Sequence, residues 1–565
     1  MQEYRRFPNL AAMMLALARA WPQRRMLRHY QDGAWHSVSW GEFGRRAASA
    51  ADRLRALGIS AGDRVVIVAD NRPDYVIAEV ALLAIRAVPV PTYTTNTQTD
   101  HAQVLRDCGA RAAIAGTQAQ GEALSQAAKL AGSQAADLAE GLDLLLVMDS
   151  PEWAAITGGE ASLDALAAEA DQIPGGALAC LMYTSGTGGA PKGVMLPHAA
   201  ILSNCAGAFE LLRTLPIGDD VYLSFLPLSH SYEHTVGQYF LPSIGAELAY
   251  SRGVEHLAAD MLAIRPTVMT VVPRVLEAIR GRVLAQVERA PAWRRALFHR
   301  ALRIGLQRLD GPALSPLDRL LDPLLDRLVR QKVRDRFGGR LKAVMSGGAR
   351  LEPEVGRFFL ALGIPVLQGY GQTEAGPVIS ASPPHAIRIG TVGPALQGVE
   401  LRIAEDGEIL VRGDLVMAGY WGQREATEAA IQDGWLHTGD IGVLEADDYL
   451  RITDRKKDMI VLSGGDNVAP ARVEGMLAGE PEIAQAVVLG DGKPALSALL
   501  VAADGHDEAA IARAVARVNA RLSVTERVRH HALVAAFTLA NGLMTPTLKV
   551  RRRAVIERLG TKIGL

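Results

Sequence analysis

The chain has 565 residues, 49% of them hydrophobic and 21% charged, with a net charge of -1. That length exceeds a single hydrophobic core and implies a few domains, and the composition is that of a globular rather than a disordered protein. The near-neutral balance argues against general nucleic-acid binding, while Cys108, Cys180 and Cys205, which lack CxxC spacing, suit a reducing compartment with no disulfide or metal role.

Arg5, Arg6 and the apolar run 10–17 loosely imitate a secretory signal. Leu10, Met13, Met14 and Leu17 fall at helical spacing and Pro22 ends the pattern, so an amphipathic first helix is expected instead. From 35 to 95 the pattern alternates: a strand at 65–68, an apolar helix at 74–85 and a strand at 87–90. This spacing argues for a parallel sheet with crossover helices. Asn71 and Arg72 follow the first strand, where open α/β sheets place ligands, although such a pair is more often only a polar loop. Residues 96–176 read as helices with one strand at 144–148 and carry no chemistry of their own.

The densest signal is Tyr-Thr-Ser-Gly-Thr-Gly-Gly-Ala-Pro-Lys-Gly at 183–193, entered by a buried-strand pattern at 177–182. Thr184, Ser185 and Thr187 offer hydroxyls, Gly186, Gly188 and Gly189 let backbone N–H groups turn toward an anion, and Lys192 adds a point charge. A nucleotide is the expected ligand. Lys192 lies between Pro191 and Gly193, which excludes the Walker pattern.

A strand at 221–226 is followed by His230, Glu233 and His234, three ionisable side chains at a strand's end that could serve binding or catalysis. Residues 265–274 give another strand, ending in a Pro-Arg turn. The helical block at about 276–336 then carries the stripe Leu317, Leu320, Leu321, Leu324, Leu325, Leu328 and Val329. Over 281–340 there are 13 Arg and one Lys against six acids. Packing of this stripe on the body, with arginines in water, is expected; a membrane-surface helix is the alternative.

The strand at 341–345 runs into Ser346, Gly347, Gly348 and Ala349, and a second glycine turn follows at Gln368, Gly369, Tyr370 and Gly371, with Thr373 and Glu374 beyond. Glycines admit a flat base to the backbone, and Tyr370 could stack on it. Thr184 and Glu374 offer hard oxygens suited to Mg2+ beside phosphates. From 393 to 440 short antiparallel strands are expected, ending at Asp440, an acceptor suited to two sugar hydroxyls, with Arg455 as a second partner. Residues 456–565 read as a small α+β unit, and Pro546 puts Lys549 on a loop or strand rather than mid-helix.

Together these stretches resemble the adenylate-forming superfamily of acyl-CoA synthetases, nonribosomal peptide synthetase adenylation domains and firefly-type luciferases. The motifs lie in that family's order, at 183–193, 226–234, 346–349, 368–374, 434–440, 452–458 and 541–549, and cover nearly the whole chain. Within the superfamily the segments Ser-His-Ser-Tyr-Glu-His at 229–234 and Ser-Gly-Gly-Asp-Asn-Val-Ala-Pro at 463–470, Lys457 and the helical insertion are similar to bacterial long-chain fatty acyl-CoA synthetases. Two departures stand out: Gly188 replaces a usual Thr or Ser, and Asp466 a usual Glu.

The resemblance implies an α/β fold. A large N-terminal domain, 1–455, of stacked α/β sheets would carry the insertion and a small β-barrel-like subdomain at about 393–455. A small mobile α+β domain, 456–565, would hinge near Lys457. The implied reaction converts a fatty acid and ATP to acyl-AMP, then forms the coenzyme A thioester. Lys549 would bridge carboxylate and α-phosphate, with His230 near the acyl carboxylate and Mg2+ at Thr184 and Glu374. Ser185 to Lys192 would cradle pyrophosphate, and Ser346 to Ala349 with Gln368 to Tyr370 would line the adenine, flanked by Gly371 and Thr373. Asp440 and Arg455 would hold the ribose, with Ile452 beside them, and Ser463, Gly464 and Gly465 would face coenzyme A. A fatty acyl-AMP ligase serving a carrier protein, a medium-chain or aryl synthetase, and a silent lipid- or nucleotide-binding protein are the rival readings; Lys549, Glu374, Asp440 and Arg455 argue against the last. A cytoplasmic location is expected, with peripheral contact on the inner face of the membrane through the basic block, and a homodimer, as open partner expectations.

Overall fold

The run Arg64–Val68, Arg-Val-Val-Ile-Val, has no polar alternation and is stable as a strand only with both faces covered. In this computed structural model, which describes residues 6–133, 141–184, 191–311, 313–456, 459–463, 466–538, 540–544 and 550–563, it lies inside a parallel sheet. The sheet order is Val88–Pro91, Arg64–Val68, Ala112–Ala115, Leu144–Val147. Helix Pro73–Ala84, opened by proline in its first turn, is almost wholly buried. The strand–helix–strand unit is thus as expected. Strand Ala112–Ala115 is not: a run of alanines favours helix locally, and burial between two strands overrides that preference. The first helix, Leu10–Ala20, is capped by the Asn9 side chain, which accepts the Ala12 N–H, and is buried on most sides.

A second, eight-stranded sheet runs in the order Val378–Ala381, Val366–Gly371, Ala343–Ser346, Val268–Val271, Val221–Ser224, Glu247–Tyr250, Arg25–Gln31, Ala34–Ser39. Its six inner strands are parallel and both edges antiparallel. Sequence-distant strands are thereby brought side by side. An antiparallel five-stranded sheet follows, containing Glu400–Ile403, Glu408–Arg412, Ile431–Gln432, Trp435–Leu444 and Leu450–Arg455, as the pattern after 393 suggested. Strands Ile483–Leu489, Leu496–Ala502 and Val528–Leu533 form the last sheet, with helix Glu508–Asn519 beside them. Two hydrophobic clusters there are drawn only from residues 460–563.

Three local expectations change. Glu233 and His234, expected at a strand's end, sit on a π-helix, Glu233–Phe240. Pro273 opens helix Pro273–Glu288 where a Pro-Arg turn was expected, because proline suits a first helical turn. The leucine stripe also splits. Leu325 is buried with Ala301 and Ile304, and Leu321 and Val329 pack on them, but Leu317, Leu320, Leu324 and Leu328 point to solvent. Asp318 and Asp322 take the inward positions instead, each held by arginines. Among the described residues, no helix is long and apolar enough to cross a membrane.

Candidate active site

Four adjacent parallel strands, Val221–Ser224, Val268–Val271, Ala343–Ser346 and Val366–Gly371, open their carboxyl ends on one edge of the eight-stranded sheet. Parallel sheets hold ligands at that edge. His230 follows the first of these strands, Ser346 ends the third, and Glu374 follows the fourth. Ser231 and Thr373 join two of the turns through a hydroxyl–hydroxyl bond of 2.9 Å. Asn71 ties in the other sheet: its amide donates to Ser224 Oγ at 3.0 Å and to the Leu226 carbonyl at 2.7 Å, and its oxygen accepts the Leu228 N–H. Asn71 is therefore a strut under the His230 turn rather than a free polar loop.

The glycine-rich stretch bridges two strands of a hairpin. Leu178–Thr184 pairs antiparallel with Lys192–Pro197, and Thr184 lies opposite Lys192. A P-loop would run from strand to helix instead. Gly419–Tyr420 adds a third strand, with Tyr420 opposite Val194. Lys192 Nζ lies 4.6 Å from the centroid of the Tyr420 ring, a cation–π contact, and the Tyr420 hydroxyl donates to Glu374 Oε1 at 2.9 Å. Burial, then the Glu374 charge, raise the pKa of that hydroxyl, so it stays a donor. Tyr420 escaped the sequence reading. A two-residue strand has no period to betray it.

Asp440 is 4% exposed and sits opposite Arg455 in the strand register. Its Oδ1 accepts from Arg455 Nε at 3.1 Å and its Oδ2 from the Tyr370 hydroxyl at 2.7 Å. Tyr370, expected as a stacking platform, is buried, and its hydroxyl links strand Val366–Gly371 to the Asp440 carboxylate. Gly371 needs to be glycine: a Cβ there would stand 1.9 Å from the Pro377 carbonyl oxygen. A methyl on Gly347 would press on the Tyr232 ring at 3.2 Å. Ser346 Oγ is buried without a partner among the described residues, as a hydroxyl awaiting a ligand would be. Gln368 and Gly369 precede Tyr370 on the same strand, Gly348 and Ala349 continue the turn after Ser346, and Ile452 is half-buried on Leu450–Arg455.

The AMP-binding enzyme family matches residues 16–421, and its C-terminal domain matches 457–564. The chain belongs to the AMP-binding enzymes. It is 35% identical to the long-chain-fatty-acid–CoA ligase FadD15 of Mycobacterium tuberculosis, over 98% of this chain and 96% of the relative. It is 29% identical to the peroxisomal long chain acyl-CoA synthetase 6 of Arabidopsis thaliana, over 92% and 80%. Among solved structures, a benzoate CoA ligase from Burkholderia xenovorans superposes with a TM-score of 0.73 at 23% identity, covering 97% of this chain and 99% of that one. A Mycobacterium tuberculosis fatty acyl CoA synthetase does so at 0.66 and 22%, covering 98% and 99%.

For an AMP-binding enzyme, several expected residues lie outside the described ones: Ser185, Gly186, Thr187, Gly188, Gly189, Lys457, Gly464, Gly465 and Lys549. Ser463 is described and exposed, its N–H donating to the Lys493 carbonyl at 2.9 Å. No cluster of three His, Cys, Asp or Glu side chains among the described residues could hold a metal alone. One carboxylate beside the hairpin Leu178–Thr184/Lys192–Pro197 would fit Mg2+, which keeps most of its ligands as water and phosphate oxygens. Glu374 has one oxygen fixed by Tyr420, whose ring also meets Lys192.

Of the three ionisable groups after Val221–Ser224, only His230 is partly open. Its Nδ1 accepts the Tyr232 N–H at 3.2 Å, so the neutral ring carries its proton on Nε2. His234 is fully buried, its Nε2 2.5 Å from Glu79 Oε1. Glu233 is fully buried too, accepting from Ser224 Oγ at 2.5 Å, Tyr222 at 2.6 Å and Thr270 at 2.8 Å. Burial pushes its carboxyl up to about 7, against the pull of those three donors. A raised folded value means the native state holds a proton that the unfolded chain has released. Stability should therefore fall as pH rises from about 4.5 to 7, by up to about 3 kcal/mol. Glu233→Gln should flatten that decline in urea melts taken across this window, and a slope identical to that of the unsubstituted protein would remove Glu233 as its source.

Proposed function

We propose that the protein activates a long-chain fatty acid with ATP and transfers the acyl group to coenzyme A. The observation that carries the reading is the join between the phosphate hairpin and the Glu374 turn through Tyr420, which sets a cation and a carboxylate at one nucleotide edge. The substrate class is supported by the 35% identity to a long-chain-fatty-acid–CoA ligase over nearly the whole chain.

A carboxylate is a poor acyl donor because its charge repels nucleophiles. Its oxygen attacks the α-phosphorus of ATP, the bond to the bridging oxygen breaks, and pyrophosphate leaves with that electron pair. The protein's part is positioning and charge stabilisation. Lys192 and the residues 185–189 hold the departing pyrophosphate, Asp440 and Arg455 orient the ribose, and Lys549 spans carboxylate and α-phosphate. Mg2+ at Thr184 and Glu374 would neutralise phosphate charge. The thiol of coenzyme A then attacks the acyl carbon, loses its proton to solvent, and AMP leaves.

The second step needs a different face of residues 456–565, and the division of the chain at 455/456 with a pivot at Lys457 is part of the same proposal. Lys456, just before the pivot, is held by Asp406 at 2.6 Å and Glu408 at 3.0 Å, and its N–H donates to the Gly439 carbonyl. That anchors the fixed side of a hinge, with Ser463, Gly464 and Gly465 on the moving side toward coenzyme A.

The test is AMP release from ATP and Mg2+ with straight-chain acids from acetate to oleate, each with and without coenzyme A. Turnover that requires coenzyme A and rises toward the long acids is expected. AMP-forming activity indifferent to coenzyme A would point to an acyl-AMP ligase, and a maximum at short or aryl acids would overturn the substrate class.

A further inference from the structure

Helix Pro470–Ala478 carries a glycine, Gly475, in its interior. Glycine is a poor helix former, and the backbone here is ordinary right-handed helix, so conformation gives no reason for it. Space does. A Cβ at 475 would stand 1.9 Å from Glu352 Oε1 and 2.6 Å from its Cδ. Glu352 lies far away in the chain, between Ser346 and helix Pro353–Ala361, at the N-cap of that helix. Its side chain makes no cap bond and is turned onto Gly475 instead. Burial raises the pKa of this carboxyl; Arg350, with Nε at 3.6 Å, opposes that, Glu277 of helix Pro273–Glu288 adds to it, and Arg521 opposes it from beyond the 455/456 division. The carboxylate gives up water to sit there, so the seat is held by shape, with Arg521 as the attraction across it.

We propose that Glu352, seated over Gly475, is a positioning residue that sets the angle of residues 456–565 over the turn Ser346–Ala349. Lys456 pins the chain at the pivot, held by Asp406 and Glu408, but a pivot leaves rotation about it free. A contact away from the pivot fixes that rotation, and the glutamate in its notch is such a contact. Any side chain at 475 closes the notch. The adenylating and thioester-forming steps call for different faces of residues 456–565, so a contact that favours one angle weights one step over the other. Glu352 acts through that angle and touches no reacting group. The link to the two steps rests on the fatty-acid reading; the contact and the angle do not.

The test is the distance between spin labels on Glu425→Cys and Glu508→Cys in the full-length protein, measured by pulsed electron resonance. Both positions are exposed, one on either side of the division, and Cys108, Cys180 and Cys205 are buried away from label. Gly475→Leu is the decisive variant. Leucine is the better helix former, so its own helix should hold; a methyl is accommodated by turning the glutamate aside, and a leucine is not. The main distance should move to a new value in Gly475→Leu and return when Glu352→Ala is added, which clears room for the leucine. In unlabelled protein the ratio of pyrophosphate exchange to acyl-AMP consumption should change by at least about fivefold in Gly475→Leu, one step gaining as the other loses, and be restored in the double variant. A distance that Gly475→Leu leaves unmoved overturns the proposal, as does a double variant that stays with the single one, or a moved distance with both steps changed by the same factor. If the unsubstituted protein catalyses neither step, the fatty-acid reading falls and the distance alone decides this one.

Discussion

Replacing Lys549 by alanine should stop acyl-adenylate formation while leaving thioester formation from supplied acyl-AMP close to normal. The expected loss in the first step is about 10²- to 10³-fold, the scale seen when a donor aimed at developing charge is removed. The substitution should leave the surrounding fold in place. Met544 and Val550, which flank the segment 545–549, form an antiparallel bridge, and the Arg551 N–H donates to the Leu543 carbonyl at 2.9 Å. Leu543 and Met544 are buried with Phe537 and Val555, which anchors the chain before and after the segment. Pyrophosphate exchange reads the first step and consumption of acyl-AMP reads the second. Equal loss in both would strip Lys549 of its assigned role.

The second large effect is expected at Glu374. Glu374→Gln keeps an oxygen that can accept from Tyr420 but removes the charge, so the turn should stay in place while Mg2+ is held less well. A fall of about 10²-fold in adenylation at fixed Mg2+ is expected, partly recovered as Mg2+ is raised. Tyr420→Phe makes the informative contrast. Its ring still faces Lys192 and only the hydroxyl bond to the carboxylate goes, so a loss of roughly tenfold or less should follow. An unchanged Mg2+ requirement in Glu374→Gln would mean that the carboxylate does not serve the metal.

What could be read from the sequence was whatever is written in consecutive residues. The glycines and hydroxyls of 183–193 announce an anion site by type and order, and Val65 to Val68 announce a buried strand by their uniformity. Tyr420 could not be found that way, because it reaches Glu374 only once a two-residue strand has paired with Lys192–Pro197. Asn71 is similar: its partners Ser224 and Leu226 belong to a different sheet. The leucine stripe illustrates a different limit. Its helical period was plain, but period does not say which way a stripe faces, and the arginines at 300, 303, 308 and 330 decided that by claiming the aspartates.

The π-helix Glu233–Phe240 has one further implication. The Leu241 N–H bonds the Val236 carbonyl five residues back, and Pro242 has no N–H to offer the carbonyl four residues before it. The chain thus carries about one residue more than a regular helix would use over this span. Each residue of an α-helix turns the chain by about 100°. Deleting one position between 235 and 238 would use up that surplus and allow ordinary winding, and deleting a second would swing everything upstream around the axis by that angle. Glu233 would leave Tyr222, Ser224 and Thr270, and His230 would be carried off the sheet edge with it. At this corner of the site the number of residues matters as much as their kind, and a change in length there would be felt as strongly as the loss of a charged side chain.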